Sequence, residues 1–161
     1  LVGIHHSENE HENIEKLLEL NPDFVVHLCH ATDQDLEKLK ESNISVVVCP
    51  RSNDYFGNRP PLEKMIEIGL DLGFGTDNGM ICSVNMLDEI RFIDQNYSSI
   101  GKHKILEIAC FGLNEMFNKD EPSRYFNPKL SGWALLSREA SDNYESVFSP
   151  KTTVLGARWR N

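Results

Sequence analysis

The run Asp23-Phe24-Val25-Val26-His27-Leu28-Cys29 is followed by Asp33-Gln34-Asp35-Leu36-Glu37-Lys38-Leu39-Lys40-Glu41 and then by Ile44-Ser45-Val46-Val47-Val48-Cys49. The outer two runs are short, β-branched and apolar on both faces, as strands of a covered parallel sheet are. The middle run has helical spacing, with Leu36 and Leu39 inward and Asp33 as the expected N-cap. Strand, helix, strand is the unit of a parallel α/β fold. Working outward, the same alternation holds on both sides. Leu1–His5 reads as a strand, and Ile14, Leu17 and Leu18 share one face of a helix that Asn21-Pro22 stops. Downstream, Pro60-Pro61 opens a helix that buries Leu62, Met65 and Ile66 and ends at Gly69. Leu70–Thr76 is the next strand, and a fourth helix covers about Val84 to Gln95. Four strand–helix units in succession predict part of a parallel barrel or an open sheet.

After Gly101 the pattern changes. His103–Phe117 has a helical stripe of Ile105, Ile108, Ala109, Leu113 and Met116, and a loop-rich tail follows with strand candidates at Gly132–Leu136 and Thr152–Arg158. The expected organisation is an α/β unit over 1–117 and a β-rich tail over 118–161.

Composition narrows the function classes. Sixteen Lys plus Arg stand against 25 Asp plus Glu in 161 residues, a balance that argues against nucleic acid and anionic membranes as partners. No basic run, bilayer-length apolar stretch or signal peptide is visible, so the expectation is a soluble, cytoplasmic protein. The four cysteines, Cys29, Cys49, Cys82 and Cys110, form no CxxC pair, which disfavours a zinc ribbon or a disulfide framework. Three of them lie in apolar runs and read as small hydrophobes. Leu1-Val2-Gly3-Ile4 already has the look of a buried strand, which suggests sequence upstream.

In parallel α/β folds the reactive groups sit at the C-terminal strand ends. Here those ends carry His5-His6-Ser7-Glu8, His27 with His30, Cys49-Pro50-Arg51-Ser52-Asn53, and Gly75-Thr76-Asp77-Asn78. A single histidine in a strand is ordinarily a packing residue, and an Asp after Gly-Thr ordinarily caps a helix. His5, His27 and Asp77 at the same end of successive strands are better read together, as imidazole and carboxylate ligands of a divalent metal that activates water. Glu8 is the candidate proton carrier. Strand alternation turns His6 away from His5, and His11 and His103 read as solvated helix residues.

His5-xx-Glu8, Val26-His27-Leu28-Cys29-His30-Ala31-Thr32, Val48-Cys49-Pro50-Arg51-Ser52-Asn53 and Leu72-Gly73-Phe74-Gly75-Thr76-Asp77 together resemble the amidohydrolase superfamily. The nearest likeness is to its cytosine, guanine and S-adenosylhomocysteine deaminase and triazine hydrolase branch, over about residues 1 to 95. The resemblance implies the C-terminal half of a (β/α)8 barrel, strands five to eight, followed by a helix and a small β appendage. It implies His5 and Asp77 as metal ligands, with Asp77 also the base toward water. His27 would orient the attacking water, polarise substrate or approach the metal. Glu8 would contact the substrate ring and shuttle protons, while His30, Ser52 and Asn53 would line the pocket from loops. The cofactor would be one divalent metal, zinc ahead of iron, and the substrate a small heterocycle such as an aminopurine or nucleoside. Asn78 departs from the glycine usual after this Asp, and Arg91 in Asp88-Glu89-Ile90-Arg91 suggests a structural ion pair.

The departure from the family is large. No His-x-His occurs, and a whole barrel needs about 250 residues. The chain therefore supplies two of four expected ligands and alone is expected to be inactive, its partner being the N-terminal half of the barrel. The alternative is a non-catalytic half-barrel that oligomerises through its exposed flank. An unrelated open α/β domain is a third reading, although no phosphate-binding glycine loop is present.

Overall fold

The computed structural model describes residues 1–112, 133–137 and 142–158. The chain divides into two compact units, Leu1–Phe117 and Asn118–Asn161. In the first, four parallel strands lie side by side in chain order: β1 (Gly3–His6), β2 (Phe24–His27), β3 (Ser45–Val48) and β4 (Leu72–Phe74). Gly3 pairs with Phe24, Phe24 with Ser45, and Val46 with Leu72. Strands adjacent in sequence are adjacent in space, so every strand end of this sheet points the same way.

The connections are helical: α1 (Ile14–Glu19), α2 (Asp33–Glu41), α3 (Pro50–Tyr55), α4 (Leu62–Ile68) and α5 (Met86–Asn96). Val25, Val46, Val48, Leu72 and Phe74 from the sheet meet Leu36, Leu39, Leu62, Met65, Ile90 and Ile93 from the helices as buried core. Full burial of each such side chain contributes about 1.5–3 kcal/mol, and this drives helix onto sheet. β1 is the exception to the expected covering. Gly3 and His5 on this edge strand are exposed, whereas β4 at the other edge is buried throughout.

Local signals set the boundaries. The N-cap of α2 is Thr32 rather than Asp33, and its side chain accepts the Asp35 N–H while the Asp35 carboxylate accepts the Thr32 N–H at 2.8 Å. This reciprocal capping box satisfies two helix-terminal donors, which an N-cap at Asp33 would leave open. Burial pushes the Asp35 carboxyl up, but hydrogen bonds from Thr32 and His11 outweigh it and hold Asp35 below the ordinary carboxylate value. Gly69 ends α4 in the left-handed region at φ 76°, as expected of a C-cap glycine. The stretch Pro50–Tyr55, expected as a loop, is a short helix with Pro50 at its first turn, where a missing N–H costs nothing.

After α5 comes α6 (Lys102–Glu107), which passes into a π-helical turn at Ile108–Gly112. The expected single helix is therefore interrupted, and its end beyond 112 lies outside the described residues. The turn packs against β4 so closely that a Cβ on Gly112 would stand 1.8 Å from the Leu72 carbonyl oxygen. Gly112→Ala is accordingly expected to cost about 3 kcal/mol or more through overpacking against backbone that cannot yield. Urea denaturation checks this, and an unchanged midpoint would refute the close approach.

In the second unit, β5 (Trp133–Leu136) pairs antiparallel with β6 (Val154–Arg158), and α7 (Asn143–Phe148) lies between them in sequence. Asp142 caps α7 by accepting from Tyr144 and Glu145. Among the described residues no helix is long and apolar enough to cross a membrane.

Candidate metal centre

Among the described residues, six non-glycine positions have left-handed backbone. Asn21 and Asn43 tolerate it, whereas Ser7 (φ 49°), His27 (φ 78°), Leu28 (φ 56°) and Asp77 (φ 56°) follow or end β1, β2 and β4. Such conformations cost about 1–3 kcal/mol each and collect where geometry serves function. They also turn the chain sharply after β1, β2 and β4.

His5 leaves β1 with its Nδ1 3.0 Å from Nε2 of His27 on β2, and the rings meet edge to face at 4.7 Å. Glu8, in the turn after β1, brings Oε2 to 3.7 Å from the same nitrogen. The three donor atoms lie within 4.8 Å of one another. His27 is 1% exposed, while Glu8 and His5 are open to solvent. Beside them a cavity of about 270 Å³ is bounded by His5, His6, Glu8, Asn9, Glu10 and Glu12.

Asp77 is exposed and stands outside this triad; its Oδ2 accepts from Ser52 Oγ at 2.5 Å. Ser52 and Asn53, expected in a loop lining the pocket, are buried on α3 instead. Ser52 holds Asp77, and Asn53 Nδ2 lies 3.0 Å from His27 Nδ1. His30 is exposed at the rim, where its Nε2 meets Asn58 Oδ1 at 3.1 Å, and Asn58 in turn donates to Asn9. The loops after β1, β2 and β3 are thereby tied.

His6 turns from His5 as alternation requires and is buried, its Nδ1 2.9 Å from Ser7 Oγ. His11 precedes α1 rather than lying on it, and its Nε2 meets Asp35 Oδ2 at 3.0 Å, so it is a tertiary contact and not a solvated helix residue. His103 is exposed on α6. Burial pushes the thiols of Cys29 and Cys49 up to about 12, which removes them as nucleophiles near neutral pH. Cys110, expected to be packed, is exposed.

One buried group escaped the sequence reasoning. Glu89 on α5 is fully buried, and its Oε1 accepts the Arg51 N–H at 2.9 Å while Oε2 lies 3.8 Å from the Arg51 guanidinium. The guanidinium also reaches Ser83, so α3 is tied to α5 and to the loop that follows Asp77. Arg91 pairs with Asp88 at 3.1 Å, the ion pair suggested by that acidic run.

Imidazole and carboxylate groups gathered at the C-terminal strand ends of a parallel α/β sheet define a candidate metal centre. The chain matches the amidohydrolase family over residues 2–110 and belongs to that family. It is 39% identical over 112 residues to an uncharacterized protein of Methanocaldococcus jannaschii, covering 62% of this chain and 30% of that one. A putative aminohydrolase of Archaeoglobus fulgidus is 36% identical over 131 residues, 74% of this chain and 38% of its own length. A 5-methylthioadenosine/S-adenosylhomocysteine deaminase of Caldanaerobacter subterraneus is 38% identical over 73 residues, 44% and 17% respectively. The chain thus spans less than two thirds of each of these relatives.

Among solved structures, an amidohydrolase from Brucella melitensis superposes with a TM-score of 0.73 at 15% identity, over 98% of this chain and 43% of that one. An adenosine deaminase from Xanthomonas campestris with bound zinc gives 0.59 at 20% identity, over 68% and 30%. These likenesses establish the α/β fold shared with amidohydrolase barrels.

Proposed function

We propose that β1–β4 are strands five to eight of a (β/α)8 barrel whose protein is a metal-dependent hydrolase of C–N bonds in a heterocyclic substrate. An aminopurine or nucleoside deaminase is the form favoured by the relatives' names. The carrying observation is the convergence of His5, Glu8 and His27 within 4.8 Å at adjacent strand ends. It sets a candidate ligand, His5, beside a water-directing imidazole and a proton carrier, and the His5 imidazole with the Asp77 carboxylate are donor types that suit a borderline divalent ion, zinc ahead of iron. When bound, that ion supplies a water acidified enough to act as nucleophile near neutral pH.

In this reading His5 and Asp77 would hold the metal, His27 would orient the water or lie close to the metal, and the Asp77 carboxylate would take up the proton released. Glu8 borders the cavity and delivers a proton to the leaving nitrogen. Ser52 and Asn53 act on substrate indirectly, by holding Asp77 and His27, while His30 remains a rim contact. β1 pairs with β2 on one edge only, and in this reading its other edge would face the remaining barrel strands. A non-catalytic half-barrel that dimerises through this edge is the competing reading.

The test is metal content and ammonia release from aminopurine nucleosides, measured on the full product of the gene. About one zinc or iron per chain with ammonia release supports the proposal. Metal without ammonia retains a hydrolase with another leaving group. Absence of metal overturns it and favours the dimeric module.

A further inference from the structure

We propose that Asn53 is a positioning residue that sets the tautomer of His27. A neutral imidazole carries one N–H and one lone pair. Nδ1 of His27 faces the amide nitrogen of Asn53, which can only donate, so Nδ1 must offer its lone pair and the proton sits on Nε2. His27 then aims an N–H at the point where His5 and Glu8 converge, and Nδ1 of His5 accepts it. The His5 proton is thereby assigned to its own Nε2.

Asn53 is held firmly enough to impose this choice. It is fully buried, its N–H donates to the Cys49 carbonyl at 3.0 Å, and its carbonyl accepts from Phe56 and Asn58. Glu89 anchors Arg51, two residues earlier on α3, by accepting its backbone N–H. The remaining amide atom, Oδ1, is buried without a hydrogen-bond partner. An orphaned acceptor of this kind costs about 1–3 kcal/mol and asks for an explanation. Turning the amide over would put Nδ2 at the same unpartnered position, so it relieves nothing, and the orientation with Nδ2 on Nδ1 is the one assigned. This assignment is a property of the chain without metal and does not depend on the proposed metal chemistry.

The experiment is ring-nitrogen NMR of protein labelled with ¹⁵N-histidine, with chelator present. It is run at about pH 8.5, above the ordinary imidazole pKa of about 6.5. The expected wild-type spectrum has His27 Nδ1 unprotonated and Nε2 protonated. Asn53→Asp, which can only accept from the ring, is expected to exchange the two assignments. Asn53→Leu, which offers no donor, is expected to lose the strong preference. A wild-type His27 protonated on Nδ1 would overturn the inference without any variant. So would unchanged tautomers in both substitutions. Reversal in Asn53→Asp with no zinc uptake by any form would support the inference while removing the metal reading.

Discussion

Asp77→Ala is expected to remove bound metal and ammonia release together, whereas Glu8→Gln is expected to retain metal and lose about 10²–10⁴ in kcat. The two carboxylates occupy different situations. Asp77 is fixed by the buried Ser52 hydroxyl, which donates to its Oδ2 at 2.5 Å and leaves the carboxylate one working direction, as suits a ligand. Glu8 has no such anchor; it is partly exposed, borders the cavity and lies 3.7 Å from His27. A group so placed can approach a leaving nitrogen and move a proton, and loss of one general acid or base costs about that factor. Neither side chain is part of the core, so unfolding midpoints should move little in either variant. Elemental analysis alongside steady-state rates separates the roles. Retention of metal in Asp77→Ala would exclude it as a ligand, and a Glu8→Gln rate within a few-fold of wild type would exclude Glu8 from proton transfer.

The second large effect belongs to Glu89. Burial pushes its carboxyl up to about 7 from an ordinary 4.5, opposed by the Arg51 N–H and guanidinium and reinforced by Asp88 and Asp77. Between these values the folded chain keeps a proton that the unfolded chain has released. Native protein therefore binds more protons there, and stability falls as pH rises from 4.5 through 7 and then levels. A difference of this size corresponds to about 3 kcal/mol. Glu89→Gln is expected to abolish that component of the slope. Glu89→Ala is expected to destabilise at every pH, because the buried Arg51 N–H loses its acceptor. Denaturation at pH 5 and pH 8 with chelator present checks both. Equal pH slopes in wild type and Glu89→Gln would refute the buried-carboxylate account.

The fold is legible in the sequence where one physical cause dominates. Val25, Val46, Val48 and Phe74 mark strands because β-branched and aromatic runs bounded by turns have few other uses. Leu36 with Leu39, and Leu62 with Met65, mark helix faces by spacing alone. Boundaries are harder where local options compete. Asp33 and Thr32 are both good caps, and the position of Asp35 three residues after Thr32 decides between them. Ser52 and Asn53 are expected in a loop, yet Pro50 before them is well suited to the first turn of the helix that carries them.

The candidate site divides the same way. His5, Glu8 and His27 are visible because strand-end position is a consequence of topology. The contacts that hold them are not. Ser52 with Asp77, Asn53 with His27 and Arg51 with Glu89 join residues 25, 26 and 38 positions apart. Nothing in the local sequence selects those partners among the other polar residues nearby.

The tied loops at the rim have a consequence for how anything enters. Asn9, Asn58 and His30 join three separate strand–helix turns through one amide. Only Asn9 of the three lines the cavity, so its wall is fastened to the two other turns from outside. Loosening Asn58 alone should free all three loops, so hydrogen exchange in those turns would quicken as a group.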